Sequence, residues 1–303
     1  MEKTGYLKEA FRLFHIKDRT EREYHYHYHD FHKIIVFLSG KAAYHIEGKT
    51  YRLKPWDILL VSRGAIHRPE IDFSVPYERL ILWIRPDIPE QSLLSCFQKA
   101  SDRSFNLIRL DARVQERLKD ILSQLEAALP ETQFGDALLK DALFTQLMVY
   151  VNRIFLQKDY VTDRRSYSSD SQVEQLLRYI NRNLDGDLSV DALAGHFFLS
   201  KYHLMRKFKA ETGYTVHNYI LSKRLLLART LISQGVPVLK AASQSGFQDY
   251  TTFVRAYKKQ YQTTPTQKYA LICSLRVGAV ILFILFSLRQ VLHTGRCRSQ
   301  GSA

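Results

Sequence analysis

One stretch near the C-terminal end constrains this chain more than any other: residues 238–269, VLKAASQSGFQDYTTFVRAYKKQYQTTPTQKY. Val238, Ala241 and Ala242 recur at helical spacing, Gly246-Phe247 breaks the pattern, and Phe253 and Tyr257 start a second run on one face. Two short helices around a Gly-containing turn are the sequence form of a helix-turn-helix. Away from Phe253 and Tyr257 lie Thr251, Arg255, Lys258 and Lys259, so the inner face is apolar and the outer one hydrogen-bonding and basic. The same pattern occurs once before, in residues 191–212, DALAGHFFLSKYHLMRKFKAET. Laying Leu204-x-Arg206-x-Phe208-Lys209 over Phe253-x-Arg255-x-Tyr257-Lys258 gives an offset of 49 residues, while Ala194 lies over Ala242 at 48, so the second turn carries one extra residue. A repeat that keeps core positions and outward arginines together implies two helix-turn-helix units in tandem.

The region from about Val173 to Tyr269 resembles the DNA-binding domain of AraC-family transcription regulators. The matching residues are Leu199-Ser200, Tyr202-x-Leu204-x-x-x-Phe208-Lys209 and Thr212-Gly213, then Arg224-Leu225-x-x-Ala228-Arg229-x-Leu231. Gly246-Phe247-x-Asp249, Phe253-x-Arg255-x-Tyr257-Lys258-Lys259 and Thr264-Pro265-x-x-x-Tyr269 complete the set. Two departures fall in the last turn: the family usually has Gly where Gln262 stands, and Tyr269 is shifted by one. The resemblance implies that Tyr202, His203, Met205, Arg206 and Lys209 face DNA from the first unit. Tyr250, Thr251, Arg255, Lys258 and Lys259 would do so from the second. Arg206 and Arg255 are the strongest candidates for base readout, because a guanidinium binds guanine bidentately in the major groove. Residues 216–233 read as the long helix joining the units; in the family it sets the recognition helices about one DNA turn, roughly 34 Å, apart. Double-stranded DNA is the implied partner, with RNA polymerase a second one in an activator.

Charge follows the same division. The net formal charge is +14, and residues 170–270 hold 14 Lys and Arg against 7 Asp and Glu, whereas residues 1–95 hold 15 against 13. The basic excess thus sits on the repeated helices, as an electrostatic footprint on phosphates requires. Cys96, Cys273 and Cys297 are odd in number and widely spaced, which fits neither a disulfide framework nor a zinc pattern. The N-terminus, MEKTGYLKEAFRLFH, carries charges where a signal peptide has its apolar core. A cytoplasmic protein is expected. The stretch 270–288, ALICSLRVGAVILFILFSL, is long enough to cross a bilayer but carries Arg276, so a membrane anchor is the minority reading of the tail.

Residues 24–85 read as short strands with regular punctuation: Ile34–Leu38, Ala43–Ile46, Thr50–Leu53, Ile58–Val61 and Leu80–Ile84, separated by Gly40, Gly48, Pro55 and Gly64. That spacing suggests a small all-β barrel or jelly roll. His27-x-His29 and Pro55-Trp56-Asp57 followed by Gly64-x-x-His67 look like the two cupin motifs. This part therefore resembles the cupin sensor domain of AraC-type regulators. In metal-binding cupins the resemblance implies ligands at His27, His29, an acidic residue near position 33, and His67. The alternation of Tyr24 to His29 puts the histidines on one strand face, as a metal site needs. Lys33 occupies the acidic position, however, and a protonated amine repels a metal and cannot ligate it. The expectation is a pocket for a small organic molecule at His27, His29 and His67, with no metal and no cofactor; the plainer reading is histidines lining a structural barrel.

Two amphipathic helices follow, residues 111–129 with Leu118, Ile121, Leu122 and Leu125 on one face, and 134–156 with Leu139, Leu143, Leu147 and Ile154. They either pack on the barrel or form a homodimer seam. The polar run 162–171, TDRRSYSSDS, reads as a flexible linker. The expected architecture is an α+β multidomain chain. Residues 1–95 form a cupin-like β-barrel, 96–160 a helical connector, 161–172 a linker, 173–269 an all-α tandem helix-turn-helix domain, and 270–303 an apolar then basic tail. The expected function is sequence-specific transcription regulation, not catalysis, controlled by a small molecule, plausibly a carbohydrate. The alternative is a cupin metalloenzyme, a sugar isomerase or dioxygenase, carrying a DNA-binding domain.

Overall fold

The computed structural model describes residues 7, 9–19, 23–157, 167–169 and 171–267. Two compact units emerge: one runs to Arg182 and takes in Val190–Val216, the other joins Asn183–Ser189 to the chain from His217.

The first unit is built on two antiparallel sheets. One has the order β1 (Phe11–Asp18), β7 (Tyr77–Ile84), β2 (His32–Ser39), β5 (Ile58–Val61), β8 (Leu107–Ile108). The other has the order β6 (His67–Ile71), β3 (Ala42–Ile46), β4 (Lys49–Arg52), β9 (Tyr167–Ser169). β3 and β4 form a two-residue hairpin through Glu47 and Gly48, both at positive φ (47° and 76°), the geometry that matches strand twist. The apolar run in β2 follows from its position. Ile34 and Val36, with Leu80, Leu82 and Ile84 of β7, face the helices, while Ile35 joins Tyr44, Ile46, Tyr51, Leu59 and Val61 inside. A strand covered on both faces loses the apolar–polar alternation that marks a half-buried one.

Helices α1 (Ser95–Arg103), α2 (Ala112–Ala128) and α3 (Asp136–Gln157) cover the outer face of the first sheet. Leu118, Ile121, Leu122 and Leu125 are buried there, as their spacing predicts, and Asp111 caps α2 by accepting from Arg113 N and Val114 N. In α3 the apolar stripe reaches the core only from Leu143 onward; Leu139 is exposed. Asn152, buried in α3, is fully engaged: its Oδ1 accepts from Cys96 N (2.8 Å) and its Nδ2 donates to Leu93 O (2.8 Å) and Met148 O (2.8 Å).

Three local expectations are corrected. The Tyr24–His29 segment is not a regular strand; it meets β6 through one bridge, His27 with His67. Within the stretch read as a linker, Tyr167–Ser169 is a strand paired antiparallel with β4, and α4 (Ser171–Arg182) opens two residues later. Strands β1 and β6 lie where the spacing predicts no element, and the expected helical stretch 96–160 opens with α1 but also holds strand β8.

The same unit holds α4, α5 (Val190–His196) and α6 (Lys201–Thr212). Buried Lys49 of β4 pairs with Glu174 of α4 at 3.2 Å, and Tyr214 donates its hydroxyl to Tyr26 O at 3.4 Å. Gly213 ends α6 at φ +73°, where a Cβ would lie 2.4 Å from the Tyr26 ring.

The second unit contains α7 (Val216–Ser233, as expected), α8 (Val238–Gln244) and α9 (Tyr250–Tyr261) around Leu225, Ala228, Ile232, Phe253 and Tyr257. Arg224 ties the preceding loop down, with Nε donating to Leu184 O (2.8 Å) and Nη2 to Gly186 O (2.7 Å). Gly246, in the turn between α8 and α9, has φ +84°, and a Cβ there would meet Leu184 O at 2.1 Å. Among the described residues no helix is long and apolar enough to cross a membrane; the apolar stretch 270–288 lies outside them.

Candidate functional site

Two surfaces could serve function, and each grows out of a local sequence rule. Helix α6 starts where Ser200 accepts from His203 N at 3.2 Å, and α9 where Asp249 accepts from Thr252 N at 2.5 Å. Capping fixes the phase of each helix, and phase decides which residues face out. In α6, Leu204, Phe208 and Thr212 are buried; Tyr202, Met205, Arg206 and Lys209 are exposed and His203 is half-buried. In α9, Phe253 and Tyr257 are fully buried, and Tyr250, Thr251, Arg255, Lys258 and Lys259 are exposed. Each helix thus pairs an apolar anchor with a polar, cationic outer face. Asp249, which the sequence reading used only as a match to the family pattern, is the N-cap that aims the second face.

The second surface lies inside the barrel. The structure brings His27, His29 and His67 together, their ligating atoms all within 4.8 Å of one another. Among the described residues they are the only group of metal-ligand type. His67 Nδ1 lies 2.9 Å from Ala65 O, so that nitrogen carries the proton, and Nε2 accepts from Lys33 Nζ at 3.2 Å. Burial, then Lys33 and His27, pushes His29 down to about 2. His67 is held well below its ordinary value by burial, then by Lys33, His27 and His29. Burial and then Arg79 bring Lys33 down to about 7.

The donor chemistry fits a metal poorly. Three imidazoles converge, but the His67 lone pair already faces the Lys33 amine, and a cationic group stands where a fourth, anionic ligand would stabilise an ion.

Sequence reasoning missed the remaining polar wall: Asp18 of β1, Tyr24, Tyr44 of β3, and Tyr77 and Arg79 of β7. Arg79 Nη2 pairs with Asp18 at 2.8 Å, and its guanidinium lies 4.2 Å over the Tyr77 ring. The available signal was alternation along β7, which puts Tyr77, Arg79, Ile81 and Trp83 on one face, the side on which Lys33 also lies. The other motif residue, Asp57, is structural: it accepts from Arg109 at 2.6 and 2.8 Å in a buried ion pair.

Comparisons with known proteins match the two regions that carry these surfaces. A family profile described as an AraC-like ligand binding domain matches residues 13–148, and one described as a helix-turn-helix domain matches residues 193–269. The chain is 27% identical over 248 residues to a probable transcriptional regulator, LumQ, of Photobacterium leiognathi, covering 80% of this chain and 90% of that one. It is 23% identical to the HTH-type transcriptional activator RhaR of Mannheimia succiniciproducens, covering 80% and 85%. Among solved structures, ToxT from Vibrio cholerae O395 aligns over 88% of this chain and 99% of its own, with 15% identity and a TM-score of 0.35.

Proposed function

This chain belongs to the AraC family of transcription regulators, and we propose that a small organic molecule held in its N-terminal barrel governs how its two helix-turn-helix units engage an operator. The observation that carries the reading is the doubled outer face. Arg206 of α6 and Arg255 of α9 occupy equivalent exposed positions, each two residues beyond a buried anchor, Leu204 or Phe253. In this reading Tyr202, Met205, Arg206, Tyr250, Thr251 and Arg255 approach base edges, and His203, Lys209, Lys258 and Lys259 approach the backbone.

Arg206→Ala and Arg255→Ala each weaken operator binding by about 1–3 kcal/mol and relax preference at one base position. Lys258→Ala weakens all sequences alike and reduces the slope of log affinity against log salt by about one phosphate. Competition binding with operator and scrambled duplexes at several salt concentrations measures both. Two arginine variants that bind like the parent would mean that the recognition faces are misassigned.

The barrel acts as a sensor in this reading, not as an enzyme, and takes its effector at His29, His67 and their neighbours without a stoichiometric metal. Lys33 on His67 supports that. Elemental analysis of protein prepared without an affinity-tag metal gives less than one equivalent of any transition metal if the reading holds. Exposed Phe134, Leu138 and Leu139 on and before the first turns of α3 support a homodimer seam there. The reading places the protein in the cytoplasm, with RNA polymerase as its partner if it activates.

A further inference from the structure

Four cationic side chains are buried among the described residues: Lys33, Lys49, Arg79 and Arg109. Three have a carboxylate. Lys49 meets Glu174 at 3.2 Å, Arg79 meets Asp18 at 2.8 Å, and Arg109 meets Asp57 at 2.6 Å. Lys33 meets the imidazole of His67 instead. A buried cation without a counter-ion is costly, and a chain that tolerates one at a ligand site is poised to receive the missing charge from outside.

On the same sheet face the barrel offers more donors than acceptors. Arg79 spends Nη2 on Asp18, while its buried Nη1 meets no hydrogen-bond acceptor in the protein. Tyr77, two residues away on the same face of β7, is completely buried, and its hydroxyl has the Tyr44 hydroxyl as a polar neighbour, at the margin of hydrogen-bond geometry. An open arginine N–H and a tyrosine hydroxyl on the sheet face that also carries Lys33 match the lone pairs of a carboxylate. A neutral sugar would bring no counter-charge to Lys33.

We propose that the effector is a small organic acid, a sugar acid among the candidates, whose carboxylate is held between Lys33 and Arg79 with the Tyr77 hydroxyl as a further donor. This rests on the sensor reading above and narrows it to one chemical class. His67 holds Lys33 in place from one side, and the Asp18 pair holds Arg79 from the other.

The test uses the full chain and matched probes at equal ionic strength: D-glucuronate against D-glucose, D-galacturonate against D-galactose, and D-gluconate against sorbitol. Thermal melting and operator titration are read for each. The expected result is that an acid raises the melting temperature by several degrees while its neutral counterpart does not. Lys33→Met and Arg79→Lys then weaken that acid by about tenfold or more. Arg79→Lys keeps a cation for Asp18, so it tests the open donor without removing the pair, and a cooperative unliganded melt for each variant shows that it folds. Persistence of the acid's effect in both variants overturns the proposal, because the acid then binds elsewhere, for example on the basic helices. A set in which no acid stabilises overturns it as well. A neutral sugar that stabilises the protein and shifts operator affinity overturns the acid while keeping the sensor.

Discussion

At the scale of single residues, Lys33 is the side chain whose placement costs most and explains most. Its ammonium is buried and Arg79 lies close enough to disfavour the charge further. Below pH 7 the folded protein must keep that charge buried. Above pH 7 it gives up a proton that the unfolded chain retains to about 10.4, so stability rises with pH between those limits. Lys33→Met removes the penalty: the variant is expected to be more stable by about 1–2 kcal/mol at pH 7, and the rise above neutrality to disappear. Urea melts at pH 7 and pH 9 measure both effects, and equal stability of parent and variant at both values would mean that water or a counter-ion solvates the amine. The lysine was conspicuous in the sequence as the wrong residue at an acidic position. Arg79 was not, because its partner Asp18 lies 61 residues earlier, in a strand whose mixed polar and apolar residues give no strong alternation. Pairings of that range are decided by sheet order, which no local pattern encodes.

At the scale of elements, helix ends carry the testable energetics. The C-cap of α9 is Gln262, held left-handed at φ 56°, at the position where the resemblance led us to expect glycine. A side chain in that conformation costs about 1–2 kcal/mol, so Gln262→Gly stabilises the second unit by about 0.5–1 kcal/mol after its extra chain entropy is subtracted. Gly246→Ala works the other way, since its Cβ collides with Leu184 O in a turn that also needs positive φ; a loss of about 2 kcal/mol or more is expected. Thermal melts of the two variants should move in opposite directions. Elements marked by an unbroken apolar run or by helical spacing were legible: β5, α2 and α7 fall within a residue or two of where the sequence puts them. Those that were missed are short or polar. β8 is two residues long, and β9 is Tyr-Ser-Ser, an edge strand whose single aromatic, Tyr167, packs on Tyr51 and Phe105 from distant parts of the chain.

At the scale of the whole molecule, the tail beyond Tyr269 is where family pattern and sequence part company. Truncation after Tyr269 is expected to leave operator affinity unchanged within twofold, because the buried anchors of α8 and α9 find their partners within residues 221–261; lost affinity would make the tail part of the folded domain. Full-length protein recovered in the soluble fraction without detergent would rule out an anchor. The edge strand β9 has a larger consequence for the molecule. While it is zipped to β4, one residue, Asp170, separates the barrel sheet from α4. Any displacement of β4 is thereby passed to the first helix after the barrel through a single residue of chain, alongside the buried Lys49–Glu174 pair that joins the same two elements.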